Sequence, residues 1–411
     1  MNRTEIISVL KEMPSEGSAQ YQKALQVAAT FPAEYQRMGL IHALAEPLTK
    51  VLSTSQPEFA DGRGFMVHQP NSAYRFAASE AAVELVERVM AGENPEAALD
   101  WLERVLLTQR ASGLSIMALL GVAADQRIDL GRGIEIVPLT DLPQSPERDS
   151  LLTPGRLARL HLGPWAVIKP PRVALAVKGT VEPFLTKQGE PHTPTDPFRY
   201  HNLLEDARLA LSCIGPCAPL QAGSWFQYDD PDLQAAAAHG GIATTLHEIG
   251  PAWFAPEVMI STTDARELVS GFLALSGTPR ARLRVSLQRL NQSLRRLLAG
   301  DKAMELSIAL EALLAEGIGE NTYKVGLRAA LVAGGDHQQR VQNRAIVSAV
   351  YALRSAVVHK GLAPDAVKVK GRGRVASTTV VGEAAVVTAT VIRRVISGGK
   401  LPDWYDLELQ K

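Results

Sequence analysis

From Ala281 to Ala299, leucines stand at 283, 287, 290, 294 and 298. Steps of three and four residues make one continuous apolar stripe when the chain is helical. A stripe of that length must be covered, and the segments that follow supply the cover. "KAMELSIALEALLAEG" (302–317) is apolar nearly all round, which predicts a helix buried among others. "NTYKVGLRAALVAGG" (321–335) gives a third helix, Gln338–His359 a fourth and Glu383–Ser397 a fifth. Gly300 reads as the end of the first helix and Asp301 as the N-cap of the second. Residues 279–411 are therefore expected to form an all-α helical bundle, entered through "SGTPRAR" (276–282) as a linker.

The rest of the 411-residue chain is too long for one ordinary core, so a multidomain α+β protein is expected. Residues 1–126 read as a helical N-terminal region. Ala81, Val83, Leu85 and Val86 fall at near-helical spacing, and Pro95 opens a helix with Leu99, Leu102 and Leu106 on one face. "STSQPEFADGRGFMVHQPNS" (53–72) reads as a loop. At Gln126 the texture changes. "RIDLGRGIEIVPLTDLP" alternates around a glycine turn and predicts a hairpin, and Val-rich strands interrupted by Pro follow. "FRYHNLLEDARLALSCIG" adds a helix, so 127–278 is expected to be a mixed α+β region.

Net charge is zero, but the distribution is uneven. From Arg280 to Lys411 there are 21 Lys and Arg against 11 Asp and Glu, a balance of +10. The preceding residues carry 22 against 32, a balance of −10. A basic C-terminal third suits a polyanionic partner, or an acidic domain of the same chain. No apolar run reaches membrane-spanning length, the N-terminus is too polar for a secretion signal, and two cysteines make no disulfide framework. A cytoplasmic location is expected.

The fourth helix carries the candidate chemistry. Ile346, Val350, Leu353 and Val357 form its core face; Tyr351, Arg354, Ser355 and His359, at i, i+3, i+4 and i+8, form a polar stripe beside it. His359 is in the last turn, before Lys360 and Gly361, where the helix dipole favours a cationic imidazole. An Arg offers phosphate oxygens a planar fork of donors, and a His can move a proton near neutral pH. Together they suit RNA cleavage without a metal or other cofactor. Glu311, in the mostly apolar second helix, needs a partner if buried; Arg328 and Arg354 are the candidates, and a position at the bundle edge is the alternative.

"YALRSAVVHKG" (351–361) resembles the R-x4–6-H signature of HEPN ribonucleases, with a polar residue, Ser355, after the Arg. "IALEALLAEG" (308–317) and "LRAALVAG" (327–334) resemble the preceding helices of the Apea-like HEPN branch. "DARLALSCIG" and the 128–143 hairpin are similar to its N-terminal part, less specifically. The resemblance implies a homodimer that brings two motif helices to one cleft, with Arg354 and His359 catalytic and Ser355 and Tyr351 orienting them. It implies a toxin or anti-phage effector that cuts RNA, often tRNA, after a phage or cellular trigger reaches the N-terminal part. The alternative is a non-catalytic HEPN module that serves as a dimerisation or RNA-binding scaffold.

"KVKGRGR" (368–374) reads as a flexible basic loop in which Lys368, Lys370, Arg372 and Arg374, with Lys360 at the helix end, could hold an RNA backbone. Other patterns lack a needed part. "CIGPC", with His192 and His201 nearby, has the wrong spacing for zinc, so Cys213 and Cys217 read as semi-buried thiols. His247–Glu248 lacks the second His of a zincin, "AHGGI" lacks a nucleophile elbow, "LGRGIEI" lacks the third Gly of a dinucleotide loop, and no phosphate-binding G-x-x-x-x-G-K-[ST] exists. Trp225 and Phe226 read as core.

Overall fold

A computed structural model describes residues 2–12, 18–70, 72–153, 169–190, 199–237, 257–315 and 321–409. The architecture is mixed α+β, in two compact units: Met1–Ser115 with Lys178–His201 and Phe226–Gly241, and Ile116–Val177 with Asn202–Trp225 and Ile242–Lys411. The three consecutive segments expected from the sequence do not coincide with these units. Stretches 178–201 and 226–241 belong with the N-terminal one, because the unit boundary falls inside three long strands.

The first unit contains helices α1 (Arg3–Lys11), α2 (Ala19–Ala28), α3 (Gln36–Ser55), α4 (Ala78–Met90) and α5 (Pro95–Leu107). Pro95 sits at the first helical position of α5, and the side chain of the N-cap Asn94 accepts from the Glu96 amide. The stretch 53–72 is not simply a loop. It holds strand β1 (Gly64–Gln69), which pairs antiparallel with β2 (Ser72–Ala77) and sets Phe65 opposite Phe76. Glycine and polar residues disguise the strand, and its pairing is what makes it one. Phe59, Phe65, Phe76 and Trp101 pack edge to face in the core of this unit. Arg88 lies over Trp101 and pairs with Asp232 at 2.7 Å and Glu84 at 3.1 Å. Burial still raises the Glu84 carboxyl above its usual range, against the pull of Arg88.

A five-stranded sheet runs in the order β5-β6-β7-β3-β9, with β3 at Ala111–Leu120, β5 at Ile128–Gly131, β6 at Ile134–Pro138, β7 at Val173–Val181 and β9 at Leu220–Tyr228. β4 is the short Val122–Ala123 strand, parallel to β10 (Val258–Met259), and β8 (Leu185–Lys187) joins β1. The expected hairpin is β5–β6. Its two-residue turn puts Arg132 at φ 55° and Gly133 at φ 77°, as a type I′ turn requires. Trp225 and Phe226 on β9 are buried.

The second unit also holds α6 (Pro146–Leu152), α7 (Arg199–Leu211, from Asn202 on) and α9 (Thr262–Ala274); α8 (Pro231–Ala236) belongs to the first. Five helices follow: α10 (Gly277–Arg295), α11 (Ala299–Leu314), α12 (Asn321–Ala333), α13 (His337–Lys360) and α14 (Ser377–Gly398). α11 packs against the other four, and its Ala303, Leu306, Leu310, Leu313 and Leu314 are buried. A short α15 (Trp404–Leu409) ends the described chain.

The start of this helical set differs from expectation. "SGTPRAR" is not a linker: Pro279 stands in the first turn of α10, where its missing N–H is not needed. α10 stops at Arg295, and Gly300 and Asp301 lie inside the first turn of α11 rather than between helices. Leu298 is outside the helix and exposed. Arg280 and Arg284 of α10 both hold the buried Asp206 of α7 at 2.7 Å, and Asn291 donates to the Ser212 hydroxyl and the Pro219 carbonyl. Among the described residues no helix is long and apolar enough to cross a membrane.

Candidate functional site

Helix α13 runs for 24 residues, from the N-cap Asp336, whose carboxylate accepts from the Gln339 amide at 2.8 Å, to Gly361 at φ 73°. Ile346, Val350 and Leu353 are buried, as their spacing requires, and Val357 is partly buried. Val357 crosses the start of α11 at Gly300, where a Cβ would lie 2.5 Å from Val357 Cγ2 and 3.1 Å from Ala363 Cβ. Gly300 is therefore a contact residue between two helices.

The polar stripe divides into two parts. Tyr351 is buried and Arg354 half-buried, while Ser355 and His359 are exposed. The helix itself explains this: five residues turn the chain by roughly 140° beyond a full turn. Arg354 thus leans toward α11 and His359 toward solvent at the end of α13. Arg354 donates to Glu311 Oε1 at 2.6 Å, and the Tyr351 hydroxyl donates to the same oxygen at 3.0 Å. The Arg354 guanidinium also lies 5.8 Å from the Tyr351 ring centre. Burial, helped by the Glu311 carboxylate, pushes the Tyr351 phenol well above its ordinary value, so it is a hydrogen-bond donor at neutral pH. His359 makes no hydrogen bond or ion pair with any described residue, and Lys360 beside it is exposed.

Of the two candidates for Glu311, the partner is Arg354. Arg328 belongs to a separate cluster: it donates to Glu408 at 2.7 Å and to the Leu314 carbonyl at 2.7 Å, and stacks 4.7 Å from the Trp404 ring. Its role is to tie α12 to the end of α11 and to α15, which corrects the expectation that it supports the motif.

The basic stretch is also reorganised. It is a hairpin, β11 (Ala366–Val369) and β12 (Gly373–Ala376), rather than a flexible loop. Lys368, Lys370, Arg372 and Arg374 are exposed on it. Arg372 pairs bidentately with Glu383 of α14 at 2.6 and 2.9 Å, and Arg374 donates to the Ala366 carbonyl at 3.1 Å. Glu383, eleven residues from Arg372 along the chain, is brought to the hairpin by the fold.

Cys213 and Cys217 are fully buried rather than semi-buried, and desolvation raises both thiols, Cys217 to about 12. They stay protonated at neutral pH. Among the described residues no three His, Cys, Asp or Glu side chains gather as a metal site would require. His192, "AHGGI" and His247–Glu248 lie outside the described residues.

No protein-family model, curated protein or solved structure matches this chain.

Proposed function

We propose that the chain is a metal-independent endoribonuclease of the HEPN type, dimeric through its C-terminal helices, that acts as a toxin or anti-phage effector on tRNA or other RNA under control of the N-terminal region. The observation that carries this reading is the Glu311–Arg354 contact. It holds one guanidinium edge in place from a neighbouring helix and leaves the other N–H donors of Arg354 for a phosphate. An exposed imidazole stands five residues further along the same helix.

In this chemistry His359 takes the proton of a ribose 2′-hydroxyl. The oxygen attacks phosphorus to close a 2′,3′-cyclic phosphate, the bond to the 5′-oxygen breaks, and that oxygen leaves with the proton that the His359 imidazolium gives up. Arg354 donates to the equatorial oxygens as charge builds on the phosphorane. Ser355, exposed next to Arg354, adds a hydroxyl to the same surface. Lys360 and the hairpin cations lie along the RNA path in this reading.

One observation favours a second reading, a non-catalytic scaffold. The charge of Arg354 is already met by Glu311, and Tyr351 is buried against the same carboxylate. The test is cleavage of total RNA and tRNA in EDTA by wild type and His359→Ala. Removing the proton-transfer group should lower the cleavage rate by about 10²–10⁴-fold. Equal cleavage by the two would remove His359 from the chemistry. If neither cuts and neither is toxic when expressed in cells, the scaffold reading stands.

A further inference from the structure

One groove in the second unit plays no part in the reading above. It has a volume of about 490 Å³ and lies between the turn after α7 and the outer face of α14. Cys213, Gly215 and Pro216 form one wall; Val386, Ala389, Thr390, Arg393, Arg394 and Ser397 form the other. The α14 residues are spaced to put one stripe toward the groove, apolar at Val386 and Ala389 and polar from Thr390 onward.

The two arginines differ. Arg393 donates to Asp264 of α9 at 2.7 Å, so its charge is balanced. Arg394 is exposed, with no ion pair or hydrogen bond to a described residue. No Asp or Glu stands among the residues that line the groove, which therefore retains one uncompensated guanidinium, that of Arg394. The partial negative charge at the ends of α7 and α14 favours the arginines, and at this exposed surface solvent screens it, so it does not neutralise Arg394. Thr390 Oγ1 donates within its own helix to the Val386 carbonyl at 2.8 Å, leaving its lone pairs for a ligand donor. Cys213 is buried, and burial raises its thiol, so the floor is neutral.

The geometry points to a binding site for a small phosphomonoester carried on an apolar ring, such as a nucleoside monophosphate. Arg394, with the outer edge of Arg393, takes the phosphate as a charge-assisted, bidentate partner. Pro216, Val386 and Ala389 cover the ring, the Thr390 hydroxyl serves a polar group between ring and phosphate, and the Ser397 hydroxyl, one turn beyond Arg393, serves the phosphate. The volume lies within the range of small-molecule sites and exceeds what a bare phosphate fills. This assignment does not depend on RNA cleavage at Arg354 and His359.

The test is calorimetric titration of the full chain with AMP, with adenosine and inorganic phosphate in parallel. Saturable binding of AMP is expected, weaker by about tenfold or more in Arg394→Gln. Val386→Trp, at an exposed position on the groove wall, should block binding while leaving the fold intact by circular dichroism. Adenosine and phosphate should each bind more weakly than AMP. No saturation by AMP in the millimolar range, binding by both variants as tight as by wild type, or phosphate binding as tightly as AMP would each overturn the assignment. If Arg394→Gln does not fold, the Val386→Trp result decides.

Discussion

At the scale of single residues, the group that matters most is the Glu311 carboxylate, whose one oxygen receives both the Tyr351 hydroxyl and Arg354. A charged acceptor strengthens both bonds and fixes the orientation of the two donors. The phenol is held in its protonated form by burial first and by the carboxylate second. The consequence for stability has a definite sign. A tyrosine whose folded pKa is raised keeps its contribution below the unfolded value. It loses that contribution as pH climbs from about 10 toward the folded value, since only the unfolded chain ionises there. Tyr351→Phe is therefore expected to be less stable by about 1 kcal/mol at neutral pH. Above about pH 10 it should lose stability less steeply than wild type, by up to about 1.4 kcal/mol per pH unit. Urea denaturation of both proteins between neutral pH and pH 11 measures this, and parallel pH profiles would refute it. The need of Glu311 for a basic partner was legible in the sequence. The choice of Arg354 over Arg328 was not, because it depends on which side of α11 each neighbouring helix packs.

At the scale of elements, the helices were legible wherever one apolar stripe faces one core. α11 to α13 follow from spacing, with leucines, valines and alanines at three- and four-residue steps, whereas α14 begins at Ser377, six residues before the start expected at Glu383. The strands β1, β11 and β12 were not legible. Their residues are Gly, Lys, Arg, His and Gln as often as Val, and only their hydrogen-bonded partners make them strands. A glycine that serves packing imitates a helix end. Gly300 looked like a stop, yet it lets the first turn of α11 pass against Val357 and Ala363. Gly300→Ala should then cost about 1–3 kcal/mol, because the added methyl meets a packed neighbour. Gly382 is the contrast. It lies inside α14, with nothing within 4 Å of where its Cβ would be, so Gly382→Ala should stabilise by about 0.4–1 kcal/mol. Denaturation midpoints that move in the same direction for both variants would contradict this account of the two glycines.

At the scale of the whole molecule, electroneutrality conceals a −10/+10 division at Arg280. Much of the basic side is already engaged. Arg280 and Arg284 hold Asp206, Arg289 and Arg296 hold Glu305, and Arg328, Arg354, Arg372 and Arg393 each have a carboxylate. The charge excess visible in the sequence therefore overstates what a polyanion would meet. On the β11–β12 hairpin, Lys368 and Lys370 have no ion pair with a described residue, whereas Arg372 must leave Glu383 to reach a phosphate. If the chain binds single-stranded RNA there, each lysine contact adds about 0.7 to the slope of log affinity against log salt. Replacing Lys368 and Lys370 together with Gln should lower that slope by about 1.4, and replacing Arg372 and Arg374 as well by at most about 2.8. Filter binding of a labelled, unstructured RNA oligonucleotide across a salt series reads the slope directly, with His359→Ala as the protein so that no RNA is cut. An unchanged slope in the fourfold variant would take the hairpin out of the RNA path. A drop of about 1.4 that goes no further in the fourfold variant would mean that the Arg372–Glu383 pair survives binding and that only the two lysines meet the backbone.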